Sequence, residues 1–314
     1  MKEQLIVIVG PTAVGKTALS INLAKKYKGE VISGDSMQVY KGMDIGTAKV
    51  TAEEQEGVRH HLIDILDPIE PFSVAEFQDR CIPLISEIND NGHTPLLVGG
   101  TGLYVNAITK QYQFESIPTD ERYRKELEQL VTKIGNEQLH NRLKQVDPNA
   151  AQLIHPNNVR RVIRALEVTH VTGRPFSDQQ LEEKEEESPY SLALIGLTME
   201  REMLYERINK RVDLMMEEGL LEEARSLYDR GIRDCQSVQA IGYKELYTYF
   251  DGLMSLEGAV ESLKQNSRRY AKRQLTWFRN KTDATWFDMS NGLTDQNFQE
   301  ICSFIEGKLT FISK

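Results

Sequence analysis

The octapeptide Gly10-Pro11-Thr12-Ala13-Val14-Gly15-Lys16-Thr17 follows directly on the apolar run Leu5-Ile6-Val7-Ile8-Val9. A GxxxxGK[ST] spacing placed after a strand and before a helical pattern is the signature of a phosphate-binding loop. It constrains the fold because the groups that wrap an oxyanion are successive backbone N–H groups of the loop and of the first helical turn, so a strand must end and a helix must begin at this point. The glycines permit the tight wrap, Lys16 adds positive charge, and Thr17 offers a hydroxyl to magnesium. These residues predict an α/β protein that holds a polyphosphate or pyrophosphate.

The remaining strand signals extend that prediction. Apolar runs ending in Gly, Asp or Ser recur at Val31-Ile32-Ser33-Gly34-Asp35 and Leu96-Leu97-Val98-Gly99-Gly100, with helical patterns over 17–27 and 74–89 between them. Such runs read as parallel strands buried on both faces, joined by right-handed crossovers, with ligand groups gathered at the strands' C-terminal ends. From 112 to 187 the strand signals stop and charged helical patterns take over. The expected architecture is a P-loop-containing parallel sheet core flanked by helices, formed by 1–111 and 188–314, with an inserted, mainly helical subdomain at 112–187. The run Leu192-Ala193-Leu194-Ile195-Gly196-Leu197 returns to the sheet, and Ala284-Thr285-Trp286-Phe287-Asp288 reads as a later strand. Helices are expected over 201–218, 256–280 and 295–307.

At 314 residues the chain has room for one large domain and a smaller one. No stretch approaches the roughly 20 apolar residues of a membrane span, and the start lacks a signal peptide's pattern, so a cytoplasmic protein with no membrane partner is expected. Cys81, Cys235 and Cys302 are too far apart for a CxxC zinc site, and their odd number argues against a disulfide framework. The net charge of −9 is unevenly distributed. The acidic tract 181–187 reads as a solvated connector, whereas Arg and Lys concentrate elsewhere.

Among residues able to do chemistry, Asp35 sits at the end of the strand expected beside the phosphate loop. There it would face a nucleophile approaching a bound phosphate ester, as a general base must; its plainer use is to cap the following turn. The third strand ends in Gly99-Gly100-Thr101-Gly102 rather than in the Asp a nucleotide hydrolase would use. Thr101, between glycines, could offer its hydroxyl to a leaving-group oxygen or an incoming substrate. His60 and His61 are adjacent and point in different directions, so packing or capping is expected rather than metal ligation. Two basic clusters suit a phosphate backbone: Arg268, Arg269, Lys272, Arg273 and Arg279 on one helix, and Arg160, Arg161 and Arg164 on one side of another. A solvated face paired with acidic neighbours is the alternative for either cluster alone.

The ordered set of these segments resembles the tRNA dimethylallyltransferase family, bacterial type. The resemblance runs through the phosphate loop, Gly34-Asp35-Ser36-Met37-Gln38-Val39-Tyr40, Gly46-Thr47-Ala48-Lys49, His60-His61-Leu62-Ile63-Asp64 and Val98-Gly99-Gly100-Thr101-Gly102-Leu103-Tyr104. It continues through Asn158-Val159-Arg160-Arg161, Ala240-Ile241-Gly242-Tyr243-Lys244-Glu245 and 271–279. Val14 stands where the family commonly has Ser, and the zinc-finger extension of eukaryotic members is missing. The resemblance implies transfer of a dimethylallyl group from dimethylallyl pyrophosphate to the exocyclic amine of the adenosine 3′-adjacent to the anticodon, with Mg2+ at Thr17. Asp35 would accept the amine proton, Thr101 would fix pyrophosphate and base together, and Arg211 would be a further pyrophosphate contact. Contacts with the tRNA anticodon stem-loop are expected from Asp35, Ser36, Met37, Gln38 and Thr101 around an extruded adenine, in a channel between core and insert. Further contacts are expected from Arg124, Asn158, Arg160, Arg161, Gly242, Tyr243, Lys244, Lys272 and Arg273. A monomer is expected. The rival readings are a P-loop small-molecule kinase using ATP, which leaves the basic clusters unexplained, and a non-enzymatic nucleotide-regulated RNA-binding module.

Overall fold

A computed structural model describes residues 2–110, 112, 120–180 and 187–310. Chain contacts divide it into two compact units, Met1–Gln111 with Glu187–Lys314, and Tyr112–Glu186.

In the larger unit β1 (Gln4–Val9), α1 (Lys16–Tyr27), β2 (Gly29–Ser33), β3 (His60–His61), α2 (Val74–Asp90), β4 (Thr94–Gly99) and α3 (Gly102–Thr109) come first in the chain. The smaller unit contributes α4 (Glu121–Ile134), α5 (Asn136–Val146), α6 (Pro148–Leu153), α7 (Val159–Thr172) and α8 (Phe176–Gln180). The chain then resumes the larger unit with β5 (Ser191–Thr198), α9 (Arg201–Glu217), α10 (Leu220–Asp229), α11 (Tyr243–Phe250), α12 (Leu256–Lys281), β6 (Thr285–Asp288) and α13 (Asp295–Lys308). The strands form one six-stranded sheet in the order β3-β2-β4-β1-β5-β6. Every neighbouring pair is parallel.

The sheet is buried on both faces, and β1 shows why an unbroken apolar run was required. Successive side chains of a strand point to opposite faces. Leu5, Val7 and Val9 accordingly join Ile32 and Leu97 in one core, while Ile6 and Ile8 join Val31, Leu96 and Ile195 in another. On the first face α2 is fixed by a capping box, with Ser73 accepting from the Glu76 N–H at 3.2 Å and Glu76 accepting from the Ser73 N–H at 2.7 Å. β2 stops at Ser33, so Gly34 and Asp35 stand beyond the strand and open the turn. The two-residue β3 was not legible as a strand, since it is defined by its pairing with Val31 and Ile32 rather than by any pattern of its own.

The strand ends approach one another more closely than side chains allow. A β-carbon on Gly99 would lie 2.4 Å from the Gly34 carbonyl oxygen, and one on Gly10 would lie 2.8 Å from that of Leu197. Glycine at these positions lets the end of β4 close on the turn after β2, and the start of the loop after β1 close on β5.

The smaller unit packs Leu127, Leu139, Leu143, Ile154, Val162 and Leu166 into its own core. Asp147 ties its end together, accepting from the Ala150 N–H at 2.9 Å and the Ser177 N–H at 2.8 Å. Buried Glu167 is bound by Arg124 and by Arg164, each at 2.9 Å. Residues 181–186 of the expected acidic connector lie outside the described residues.

Gly99→Ala should destabilise the fold by about 1–3 kcal/mol, the range for overpacking a site that cannot relax. Gly307→Ala, in the last turn of α13 with nothing within 4 Å of the new carbon, should be neutral or slightly stabilising by helix propensity. Urea denaturation of the two variants checks the contrast.

Candidate active site

A cleft of about 890 Å³ opens within the larger unit at the C-terminal edge of β1, β2 and β4. Residues 12–13 and 15–18 form one wall, 35–38 and 98–100 the floor, 46–48 a rim, and side chains of α9 and α12 the far side.

The glycine loop begins with Gly10 at φ 153° and passes through two left-handed residues, Ala13 at φ 65° and Gly15 at φ 107°. That path turns the chain into α1, which has no side-chain cap at its N-terminus. The N–H groups of the first helical turn are therefore left for a ligand. Val14 is buried in the core and can serve an anion only through its backbone. Lys16 folds over the loop and donates to the Gly10 carbonyl at 3.0 Å and the Pro11 carbonyl at 2.8 Å. Burial and the neighbouring Arg211 guanidinium bring its ammonium down to about 8, against the opposing pull of Asp35.

Asp35 accepts from the Met37 N–H at 2.8 Å, so it does cap its own turn. Burial nevertheless raises its carboxyl above the ordinary aspartate value, outweighing the Met37 N–H, Lys16, Gln38 and Arg211. Capping and proton acceptance are compatible, because only one oxygen of the carboxylate carries that bond. Burial also works against the Arg211 charge, which Glu54, Glu218 and Asp35 partly offset. Lys16, Asp35 and Arg211 thus share one desolvated site.

Other expected residues are placed differently. The Gln38 amide is committed within the protein: its oxygen accepts from Ser33 Oγ at 2.9 Å, and its nitrogen donates to the Thr47 and Ala48 carbonyls at 3.3 Å each. Tyr243 is fully buried, and its hydroxyl donates to Glu223 at 2.6 Å. Glu223 also accepts from the N–H groups of Asp44, Ile45 and Gly46 at 2.7, 2.9 and 2.9 Å, pinning the cleft's rim to α10. Tyr243 therefore supports the rim instead of presenting a side chain to solvent. Gly242 bends into α11 at φ 107°, its N–H held by Glu245 at 2.8 Å. Lys244 lines the cleft, 3.6 Å from Glu245.

The basic clusters separate into bound and exposed charges. On α12, Arg268 donates to Asn209 at 2.6 Å and to Glu261 at 3.2 Å, and Arg279 reaches Thr198 at 3.3 Å while covering the Trp286 ring. Arg269, Lys272 and Arg273 remain exposed, and of these Arg273 lines the cleft. On α7, Arg160 and Arg161 are exposed beside exposed Asn158, whereas Arg164 turns inward to Glu167 with Arg124. The expectation that Arg160, Arg161 and Arg164 act as one face is corrected accordingly: a buried carboxylate takes the third. His61 and His93 both meet Glu30 at 2.6 Å, and among the described residues no cluster could hold a metal by His, Cys, Asp and Glu alone.

Thr101 caps the start of α3 without using its side chain; its Oγ1 is buried beside the Tyr270 phenol. Burial and the Asp35 charge push that phenol up to about 12. Behind the turn, buried Gln274 accepts from the Thr12 N–H and donates to the Gly100 carbonyl, both at 3.0 Å. Sequence reasoning assigned no role to Gln274, Tyr270 or Glu223, since nothing local marks them and only the fold brings them here.

Fold and cleft together define a parallel α/β protein with an anion-receptive loop at the C-terminal edge of its sheet. Its family follows from comparison with known proteins. The model of the IPP transferase family matches residues 38–281. The tRNA dimethylallyltransferase of Halalkalibacterium halodurans is 63% identical over 314 residues, covering 100% of both chains. That of Geobacillus kaustophilus is 62% identical over 310 residues and 98% of each. Among solved structures, the full-length tRNA isopentenylpyrophosphate transferase from Bacillus halodurans aligns with a TM-score of 0.75 at 62% identity, over 98% of this chain and 97% of that one. A eukaryotic dimethylallyltransferase acting on tRNA aligns with a TM-score of 0.77 at 32% identity, over 92% and 74%. The chain belongs to the IPP transferase family.

The position of Lys16 yields a pH test. Its ammonium is charged below about 8 and lost above it, while a bound anion would favour the charged form. Inorganic pyrophosphate should therefore bind with uptake of a proton, and its affinity should fall by up to about tenfold per pH unit above that point. Calorimetry across pH 7–10, corrected for ionisation of free pyrophosphate, measures the trend.

Proposed function

We propose that this cleft transfers a dimethylallyl group from dimethylallyl pyrophosphate to the N6 amine of the adenosine 3′-adjacent to the anticodon in tRNA. The observation that carries the reading is the meeting of Lys16, Arg211 and Asp35 at the end of a glycine loop. Two cations and open N–H groups suit a pyrophosphate leaving group, and a carboxylate of raised basicity faces the side from which a nucleophile would come.

In the reaction the N6 nitrogen forms a bond to the donor's C1 carbon as the C1–O bond breaks, and pyrophosphate leaves with the electron pair. The exocyclic amine of adenine is a poor nucleophile, and the positive charge it develops is relieved when Asp35 accepts its proton. Residues 13–17, with Lys16 and Arg211, hold the pyrophosphate. The Thr101 hydroxyl donates to the departing oxygen or to the base.

Magnesium fits the available donors: Thr17 lines the cleft at the start of α1, and this cation is commonly held by few protein oxygens together with substrate phosphates and water. When bound it would neutralise charge on the pyrophosphate.

The adenine must leave its stack to enter such a cleft. With the Gln38 amide already committed, the Asp35 carboxylate and the half-buried Ser36 hydroxyl are the remaining polar side-chain groups of that segment for reading it. Arg160, Arg161, Asn158, Lys244, Lys272 and Arg273 contact the tRNA, by charge where they carry one. Arg124, paired with Glu167, acts by holding α4 to α7.

Incubation of the protein with unmodified tRNA, magnesium and radiolabelled dimethylallyl pyrophosphate, followed by nucleoside digestion, tests the reading. Label on adenosine is expected; unlabelled tRNA beside an active control enzyme would refute it, and phosphorylated product with ATP would point to a kinase. Asp35→Ala should lower turnover by about 100-fold or more while tRNA still binds. Binding of tRNA should also weaken steeply with salt, as charge neutralisation of a phosphate backbone requires; filter binding between 50 and 200 mM salt, roughly the range over which such slopes are read, measures it.

A further inference from the structure

The loop that cradles an anion and the turn that carries Thr101 leave the neighbouring strands β1 and β4, whose pairing ends at Val9 and Gly99. Gln274, on α12, lies between the loop and the turn with only 6% of its surface exposed. Its Oε1 accepts from the Thr12 N–H at 3.0 Å, and its Nε2 donates to the Gly100 carbonyl at 3.0 Å. A primary amide presents an acceptor and a donor side by side in one plane, which matches this pair of backbone groups. A carboxylate would set oxygen against the Gly100 oxygen, and an apolar side chain would leave both backbone groups without this partner.

The neighbouring glycines show how tightly the slot is filled. A β-carbon on Gly100 would lie 2.1 Å from Gln274 Nε2. On the other side of Thr101, a β-carbon on Gly102 would lie 2.1 Å from the Trp277 ring. Gln274 and Trp277 are three residues apart and so lie on one face of α12. That face therefore grips the turn immediately before and after Thr101, whose hydroxyl lies beside the Tyr270 phenol. The Thr12 N–H is removed from the set available to an anion, and the anion's seat shifts to the later N–H groups of the loop.

We propose that Gln274 is a positioning residue that sets the distance between the pyrophosphate held by residues 13–17 and the Thr101 hydroxyl. This rests on the transferase reading above. Misplacement of a reacting group by about 1 Å can cost on the order of 100-fold in rate while binding survives, so the loss should fall on kcat.

Gln274→Met keeps the volume and removes both hydrogen bonds. Its kcat is expected to fall about 30- to 100-fold, with pyrophosphate affinity and donor KM within about threefold of the parent. In a Thr101→Ala background the same change should cost less than about threefold further, because the group it positions is gone. Losses that multiply in the double variant, or a loss confined to pyrophosphate affinity, would overturn the proposal. Gln274→Glu supplies a second readout, since its protonated carboxylic acid again pairs a donor with an acceptor. Its activity relative to the parent should rise as pH falls from 8 to 6, and a flat ratio would contradict the role. This variant carries the test should Gln274→Met fail to fold. Thr101→Ala alone separates the two readings: parental kcat there removes the assigned role of Thr101, whereas a large loss there with an unaffected Gln274→Met defeats only the present inference.

Discussion

Two cations and one carboxylate stand together, half-buried, at the end of the glycine loop, and the surrounding fold is organised to tolerate that arrangement. Burial lowers Lys16 and works against Arg211, and it raises Asp35. Asp35 partly offsets both cations, while Arg211 works against the Lys16 charge. Local positive charge exceeds negative, and the unfilled N–H groups at the start of α1 add to the excess. An anion with several oxygens would complete the balance, as the proposed pyrophosphate does. Water exclusion then strengthens every interaction made there.

Holding these charges in place depends on close contacts that carry no chemistry themselves. Gly34 and Gly99 allow backbone to meet backbone beneath the floor. Glu223 gathers the N–H groups of 44–46 and the Tyr243 hydroxyl, and the carbonyls of Thr47 and Ala48 hold Gln38, which is bonded to Ser33 beside Asp35. A hydrogen-bonded chain therefore runs from α10 to the turn that presents the carboxylate. Several residues that look like ligand contacts in the sequence, Gln38 and Tyr243 among them, are committed to this support.

Much of the architecture was legible because its signals are local. The apolar run 5–9 and the following GxxxxGK[ST] spacing announce a buried strand, a loop and a helix, and Asp35 could be singled out because it closes the next apolar run. Other features have no local signal. The strand β3 exists through its pairing with β2. Arg164 shares the spacing of Arg160 and Arg161 yet turns toward Glu167, whose burial depends on how α4 packs on α7. Gln274 gains its place from contacts with residues 12 and 100, far away along the chain. Spacing reveals which residues share a helix face; it does not reveal what the fold places opposite them.

If the loop holds a leaving group, as proposed, bond cleavage falls between carbon and oxygen. Dimethylallyl pyrophosphate carrying ¹⁸O in the bridging C–O–P position distinguishes this directly, with mass analysis of the released pyrophosphate after transfer to tRNA. The heavy oxygen should depart entirely with pyrophosphate, since C1 leaves it for the adenine nitrogen. Heavy oxygen retained on the organic product would mean that a P–O bond had broken and that the loop serves phosphoryl chemistry, contradicting the account.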